Sequence, residues 1–320
     1  MGSNGFLNKE CVLVQSPTVV PGLLLEEFEQ RYSVIRLWDD AEDNSFREVA
    51  PSIRALVSAI GTEVPRHLLD ALPNLGIIAI NGVGADHIDL EYCRRRGIRV
   101  TNTPNVPNED VADYAMLLTL AVLHRLCEAD RFVRAGLWKH QRFPLGHKAS
   151  GLQIGILGLG HIGLAIAKRA EAFNNRVVYN DVCEKPGVPY RYYEKLCEMA
   201  SDSDVLVVAC PLCPGTKHIV DKEVLDALGP DGVLINIARG PVIDEVALVE
   251  ALQHNKLRGA GLDVFEHEPN VPEELLGMEN VILTPHLASA TWETRQAQVK
   301  CVQENLEAFF GGKPLPTPLV

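Results

Sequence analysis

The sequence lacks any apolar run approaching the ~18 residues that a membrane-spanning helix needs. It is also poor in positive charge. Thirty Lys and Arg stand against 42 Asp and Glu, a formal net charge of −12. A nucleic-acid binder needs a basic face to displace counterions, and this balance argues against one. It argues equally against an anionic membrane surface. Eight cysteines, at 11, 93, 127, 183, 197, 210, 213 and 301, lack the paired spacing of a zinc site. Cys210 and Cys213 bracket Pro211-Leu212 with no second pair, so the expectation is reduced thiols and no metal. Solenoid repeats and low-complexity tracts are absent. The opening residues through Phe6 show neither a signal-peptide pattern nor a myristoylation pattern. Pro318-Leu319-Val320 is no peroxisomal address, and a cytoplasmic protein is expected.

What is present is ordinary globular material. Hydrophobic residues make up 47% and charged residues 22% of 320, enough for two domains at roughly 100–200 residues each. Strand-like runs at 11–15, 34–38, 55–60, 77–81 and 98–101 alternate with helical patterns at 23–32 and 65–72. That alternation predicts parallel βαβ units with a sheet covered on both faces. Thr103-Pro104-Asn105-Val106-Pro107 interrupts it, because two prolines in four residues continue neither a helix nor a central strand. One long helix is predicted over 109–135, with Asn108 as N-cap and Glu109 and Asp110 at its positive end. Gly136, Pro144 and Gly146 close it in a loop. A second α/β series follows, with strands at 153–157, 176–179, 205–209, 233–237, 261–264 and 281–283. A helix over 288–310 ends at Gly311-Gly312.

Gly158-Leu159-Gly160-His161-Ile162-Gly163 sits between an apolar strand and a helix predicted over 164–173. About 20 residues later, after another strand, comes Asp181. The pattern points to a dinucleotide. Gly158 permits a tight turn, Gly160 admits the backbone to a pyrophosphate, and Gly163 allows helix–strand packing, with free N–H groups at the helix start. A glycine-rich structural turn is the plainer alternative. A carboxylate at Asp181 suits ribose hydroxyls and repels a 2′-phosphate. No arginine follows until Arg191, although Lys185 is close. NAD(H) is therefore favoured over NADP(H).

Three further motifs each lie at or just past the C-terminal end of a predicted strand. They are Asn236-Ile237-Ala238-Arg239-Gly240, Asp263-Val264-Phe265-Glu266-His267-Glu268-Pro269 and Thr284-Pro285-His286-Leu287-Ala288-Ser289. Open parallel sheets bind ligands at that end. An arginine there grips a carboxylate and polarises a keto oxygen. A histidine delivers a proton, and a neighbouring carboxylate orients it and favours its charged form. Taken singly, Arg239 also fits a surface ion pair, His286 a loop histidine and Glu268 a solvated acid.

Together these residues resemble the D-2-hydroxyacid dehydrogenase family over nearly the whole chain. The resemblance includes Val83-Gly84-Ala85-Asp86-His87-Ile88-Asp89, the Asn102-Thr103-Pro104 crossing and Val111-Ala112-Asp113. Within the family the chain is most similar to plant glyoxylate/hydroxypyruvate reductases and hydroxyphenylpyruvate reductases, through Val208-Ala209-Cys210-Pro211-Leu212, Ala227-Leu228-Gly229-Pro230 and Gly312-Lys313-Pro314. The resemblance implies an α/β fold of two domains. One is a flavodoxin-like substrate-binding domain, 1–103 plus 288–320. The other is a Rossmann dinucleotide-binding domain, 104–287.

The implied activity is NAD(P)H-dependent reduction of a 2-oxo acid, namely hydroxypyruvate, glyoxylate or an aryl pyruvate, to the D-2-hydroxy acid. His286 would be the proton donor, Glu268 its partner, and Arg239 the grip on the substrate carboxylate and carbonyl. The Val83 and Gly84 amides would share that carboxylate. Gly158, Gly160, His161, Ile162, Gly163 and Asp181 would line the dinucleotide, with Cys210, Pro211 and Thr216 beside it. Ile237 and Asp263 would lie near the nicotinamide, Asp263 touching its carboxamide. Closure of the two domains would exclude water. A homodimer is implied, with the Gly136–Trp138 region reaching toward the neighbouring subunit's site. Two positions depart from the family pattern. His161 stands where arginine is usual, and Asp181-Val182 replaces a Ser/Arg-type pair whose owners prefer NADPH. NADP(H) is thus the second candidate cofactor. Competing readings are an NAD-binding corepressor on the same fold, a 3-phosphoglycerate-type dehydrogenase, which lacks its regulatory domain here, and formate dehydrogenase, which has Gln at the place of Glu268.

Overall fold

The computed structural model describes residues 9–17, 20, 22–38, 46–59 and 62–320, with the side chains of 23, 46 and 47 also left aside. The first six residues and Ile60 lie outside the described residues. The chain divides into two compact units, Met1–Pro107 with Ala290–Val320, and Asn108–Ser289. The sequence reading put these divisions at 103/104 and 287/288.

The first unit is built on β1 (Cys11–Val14), β2 (Ser33–Arg36), β3 (Ile53–Ala59), β4 (Ile77–Asn81) and β5 (Arg99–Thr101). They pair in parallel in the order β2-β1-β3-β4-β5. That is the flavodoxin-like winding. Pleating sends Val12, Val14 and Val57 to one core with Phe28, Val302 and Leu306. It sends Leu13, Leu56 and Ile78 to another with Leu69 and Val100. Burial on both faces is why the inner strands β1 and β4 read as apolar runs. The helix Trp292–Phe310 starts later than the predicted 288, because the Thr291 side chain accepts from Thr294 N and caps it there.

The second unit carries β6 (Gln153–Leu157), β7 (Arg176–Asn180), β8 (Arg191–Tyr192), β9 (Val205–Val208), β10 (Val233–Asn236), β11 (Gly259–Leu262) and β12 (Val281–Leu283). Its seven-stranded order is β12-β11-β10-β9-β6-β7-β8. From β6 outward this is the dinucleotide-fold order 3-2-1-4-5-6 with one strand added, and its winding reverses between β6 and β9. The single helix predicted over 109–135 is two, Asn108–Leu123 and Leu126–Arg134. Arg125 breaks it with φ 55°, a left-handed conformation no continuous helix contains. Asn108 is the first helical residue rather than the cap before it. The helix after the glycine motif begins at His161, not 164. Strand β8 was not foreseen, because two residues carry no periodicity. Among the described residues, no helix is long and apolar enough to cross a membrane.

Candidate active site

Strand register brings the motifs of the second unit level. Asn180, Leu157, Val208, Asn236, Leu262 and Leu283 pair laterally in one row across six strands. The next residues along, Asp181, Gly158, Ala209, Ile237, Asp263 and Thr284, therefore emerge together at the C-terminal edge.

On the β6–β7 side the backbone is shaped for close approach. Gly158 has φ 94°, and a Cβ there would lie 2.7 Å from the Cys210 backbone. A Cβ at Gly163 would lie 2.2 Å from Gly158 O, so the helix His161–Ala172 packs on the turn only without a side chain. Gly160, exposed at the N-cap, has open space where a Cβ would stand. This is the cradle a pyrophosphate requires, beneath the unpaired N–H groups of the helix start. The residues fit a dinucleotide. Asp181 Oδ2 accepts from Leu159 N at 2.9 Å and pairs with Lys185 Nζ at 3.1 Å, while Oδ1 accepts from Val182 N at 2.8 Å. The acid thus ties the second strand end to the glycine turn. His161 is exposed and Ile162 half-buried at the helix start.

Beyond β9, burial pushes the Cys210 thiol up to about 12, so it stays protonated as a packing group. Thr216 Oγ1 donates to Pro211 O at 2.7 Å and accepts from Cys213 N at 2.8 Å, closing the exposed turn after Pro211. Ile237 is buried in the core beneath the edge.

On the β10–β12 side, side chains hold one another. Asn236 Oδ1 accepts from Ala238 N at 3.0 Å, and its Nδ2 donates to Arg239 O at 3.0 Å. This small turn presents Arg239 from the strand end. Gly240 then packs on the next loop, where a Cβ would fall 1.9 Å from Phe265 C. That contact brings the Arg239 loop against the loop leading to Glu268. Glu268 Oε2 pairs with His286 Nδ1 at 2.8 Å, and Oε1 accepts from Phe265 N at 3.1 Å. Burial pushes the Glu268 carboxyl up. The hydrogen bond and charge of His286, the Phe265 N–H and the charge of Arg239 outweigh it and leave the carboxyl below its usual range. Nδ1 is therefore held by a carboxylate, which leaves Nε2 as the nitrogen available for proton transfer. Asp263 is 1% exposed. Burial raises its carboxyl, against the opposing pull of Thr284 and two backbone N–H groups. A cavity of about 240 Å³ abuts the imidazole–carboxylate pair, walled by Phe265, Pro269, Val271, Leu276, Leu283 and Pro285.

Arg239, Glu268 and His286 thus lie on adjacent loops of one unit. Val83 and Gly84 belong to the other, in the loop after β4, where Val83 O accepts from Asn102 Nδ2 at 2.7 Å. Trp138 lies in the turn Leu137–Lys139 and is 72% exposed. Sequence reasoning assigned no role to Asn236 or Thr284, although both stand inside the motifs. An Asn ending a buried strand before small residues is a turn signal that could have found the first. A second imidazole–carboxylate pair, His218 Nε2 with Glu266 Oε1 at 2.9 Å, also escaped it. It joins loops far apart in sequence and leaves no local pattern.

Residues 116–288 match the family described as "D-isomer specific 2-hydroxyacid dehydrogenase, NAD binding domain". A hydroxyphenylpyruvate reductase of Plectranthus scutellarioides is 52% identical over 298 residues, covering 93% of this chain and 95% of that protein. A glyoxylate/hydroxypyruvate reductase A of Arabidopsis thaliana is 52% identical over 310 residues, covering 97% and 98%. Among solved structures, an NADPH-dependent glyoxylate/hydroxypyruvate reductase from Sinorhizobium meliloti, in complex with NADP and malonate, superposes with TM-score 0.89 at 40% identity, covering 98% of this chain and 97% of that one. With the winding of both sheets and the imidazole–carboxylate pair already in place, these likenesses settle its kinship: the chain belongs to the D-isomer specific 2-hydroxyacid dehydrogenase family.

Proposed function

We propose that this protein is an NAD(P)H-dependent reductase of small 2-oxo acids that forms the D-2-hydroxy acid, with hydroxypyruvate, glyoxylate and aryl pyruvates as the substrate class. The observation that carries the reading is the 2.8 Å pairing of His286 with Glu268 at the sheet edge that also bears the glycine cradle. The names of the relatives point the same way.

Arg239 binds the substrate carboxylate and polarises the 2-oxo oxygen, and the Val83 and Gly84 amides are further donors to that carboxylate. This fixes orientation, the main entropic part of the barrier. The bound nicotinamide supplies the hydride. His286 holds a proton on Nε2 and releases it to the developing alkoxide, and Glu268 steadies the charged ring before the transfer.

Gly158, Gly160, His161, Ile162, Gly163 and Asp181 would hold the dinucleotide, with Cys210, Pro211, Thr216, Ile237 and Asp263 along its length. We favour NAD(H) over NADP(H). Asp181 places a carboxylate at the end of the second strand, and Val182, 95% exposed, offers no cation to a 2′-phosphate. A homodimer is part of the reading. Leu126, Val133, Trp138 and Leu145 are exposed apolar side chains within 126–145, the segment that would meet the neighbouring subunit. The eight free thiols suit the reducing cytoplasm.

The test is a matrix of hydroxypyruvate, glyoxylate and an aryl pyruvate against NADH and NADPH, read as kcat/KM. We expect turnover with at least one acid, and NADH ahead of NADPH by tenfold or more, an energy of about 1.4 kcal/mol. Asp181→Ser with Val182→Arg should reverse that order. NADH binding without turnover of any acid would overturn the enzyme reading in favour of a regulatory NAD-binding protein.

A further inference from the structure

His286 has an unusual backbone. Its φ is 55°, in the left-handed region that a side chain other than glycine seldom adopts. Three consecutive N–H groups in that bend all point at one residue. His286 N donates to Asp263 O at 2.9 Å, Leu287 N to Asp263 Oδ1 at 2.8 Å, and Ala288 N to Asp263 Oδ2 at 2.8 Å. Consecutive amides turned inward in this way form a small anion-binding nest, and here the anion is the chain's own buried carboxylate.

A carboxylate can rotate broadly about its bond to the β-carbon, and Leu287 N and Ala288 N each hold one of its oxygens. A third donor fixes it. Thr284 Oγ1 donates to Asp263 Oδ1 at 2.7 Å. Thr284 is well suited to hold that hydroxyl still. It is β-branched and so stiff at χ1. Pro285 follows it, which confines the Thr284 backbone to extended conformations. Its own N–H is tied to Leu262 O at 2.9 Å. Pro285 brings no N–H that would need a partner in the bend.

We propose that Thr284 is a positioning residue for proton transfer. Its hydroxyl locks the Asp263 carboxylate in the orientation that receives Leu287 and Ala288, and the resulting bend places the His286 ring on Glu268. Two acids then divide the task. Asp263 holds the backbone of His286, and Glu268 holds its ring, with Arg239 as the nearby cation. The proposal rests on the reading of His286 as proton donor.

The test is Thr284→Val, which keeps the shape and removes the donor, with Thr284→Ser as the conservative control. In Thr284→Val we expect kcat for reduction to fall tenfold to a hundredfold, the order that misplacement of a reacting group costs, with KM within about twofold. The pH profile of kcat should change as well, because the ring is no longer seated firmly on Glu268. Thr284→Ser should restore both. Independently of turnover, amide hydrogen exchange at Leu287 and Ala288 in the ligand-free protein should quicken in Thr284→Val and return in Thr284→Ser. Unchanged kcat, pH profile and exchange in Thr284→Val would overturn the proposal. So would parallel losses in kcat and melting temperature that serine does not rescue. Full turnover by His286→Ala would instead overturn the proton-donor reading itself, and the exchange measurement would stand apart from that result.

Discussion

The two halves of the sheet edge in the second unit reach their shapes by opposite means. On the β6–β7 side the working surface is made by leaving side chains out. Gly158 and Gly163 lack a Cβ because of a left-handed turn and a 2.2 Å approach to a carbonyl, and Gly160 leaves open the space a Cβ would enter. On the β10–β12 side it is made by side chains that saturate one another, as Asn236 does for the Arg239 turn, Asp263 for the bend at His286, and Glu268 for the imidazole. An absence at fixed spacing is visible in sequence. A closed set of mutual hydrogen bonds is visible only once the loops have been brought together.

The contrast can be broken most forcefully through chemistry. His286→Ala should lower kcat by about 10²–10⁴, the usual worth of a positioned acid, while dinucleotide binding measured by calorimetry stays near that of the parent. Loss of binding in this variant would mean that the two halves are not separable. A smaller but sharper comparison uses glycine. Gly240→Ala forces a methyl to within 1.9 Å of Phe265 C, and overpacking of this kind costs about 1–3 kcal/mol or more. Gly160→Ala meets nothing within 4 Å at a φ of −76° that alanine accepts. Its melting temperature should not move, whereas its affinity for the dinucleotide should fall. Equal melting temperatures for the two variants would contradict the packing described here.

The smallest effect concerns pH. The folded Glu268 carboxyl lies below its ordinary value of 4.5. Its pairing therefore contributes stability that is fully present above the ordinary glutamate range and fades as pH falls through the folded value. The gap in melting temperature between the parent and Glu268→Gln should be widest near neutrality and close in acid. A gap that grows on acidification would show that the pairing is not what stabilises the loop.

Much of this architecture was legible beforehand for particular reasons. Strands such as Val205–Val208 and Gln153–Leu157 read true because they lie inside the sheet with nearly every residue buried, so apolar residues dominate them. The glycine spacing followed from the same strand. The break at Arg125 was not legible, since nothing in its neighbours demands a left-handed residue and the contacts that hold it, Glu128, the ring of Phe143 and the backbone bonds to Val122 and Ala129, form only as the chain folds. Asp263 was placed from resemblance as a contact to the nicotinamide carboxamide. Its carboxylate also receives Thr284, Leu287 and Ala288, a set that was not legible because a residue one step past a buried strand has its side-chain direction decided by the loop that folds over it.

The level row from Asn180 to Leu283 has an implication for how such a protein can be altered. Adding one residue to β10 would carry Arg239 along by about 3.3 Å and turn every later side chain to the opposite face. The strands are thus fixed in length, and tolerance for novelty lies in the segments that leave them. Engineers seeking a different specificity should diversify those segments and leave the staves of the sheet as they are.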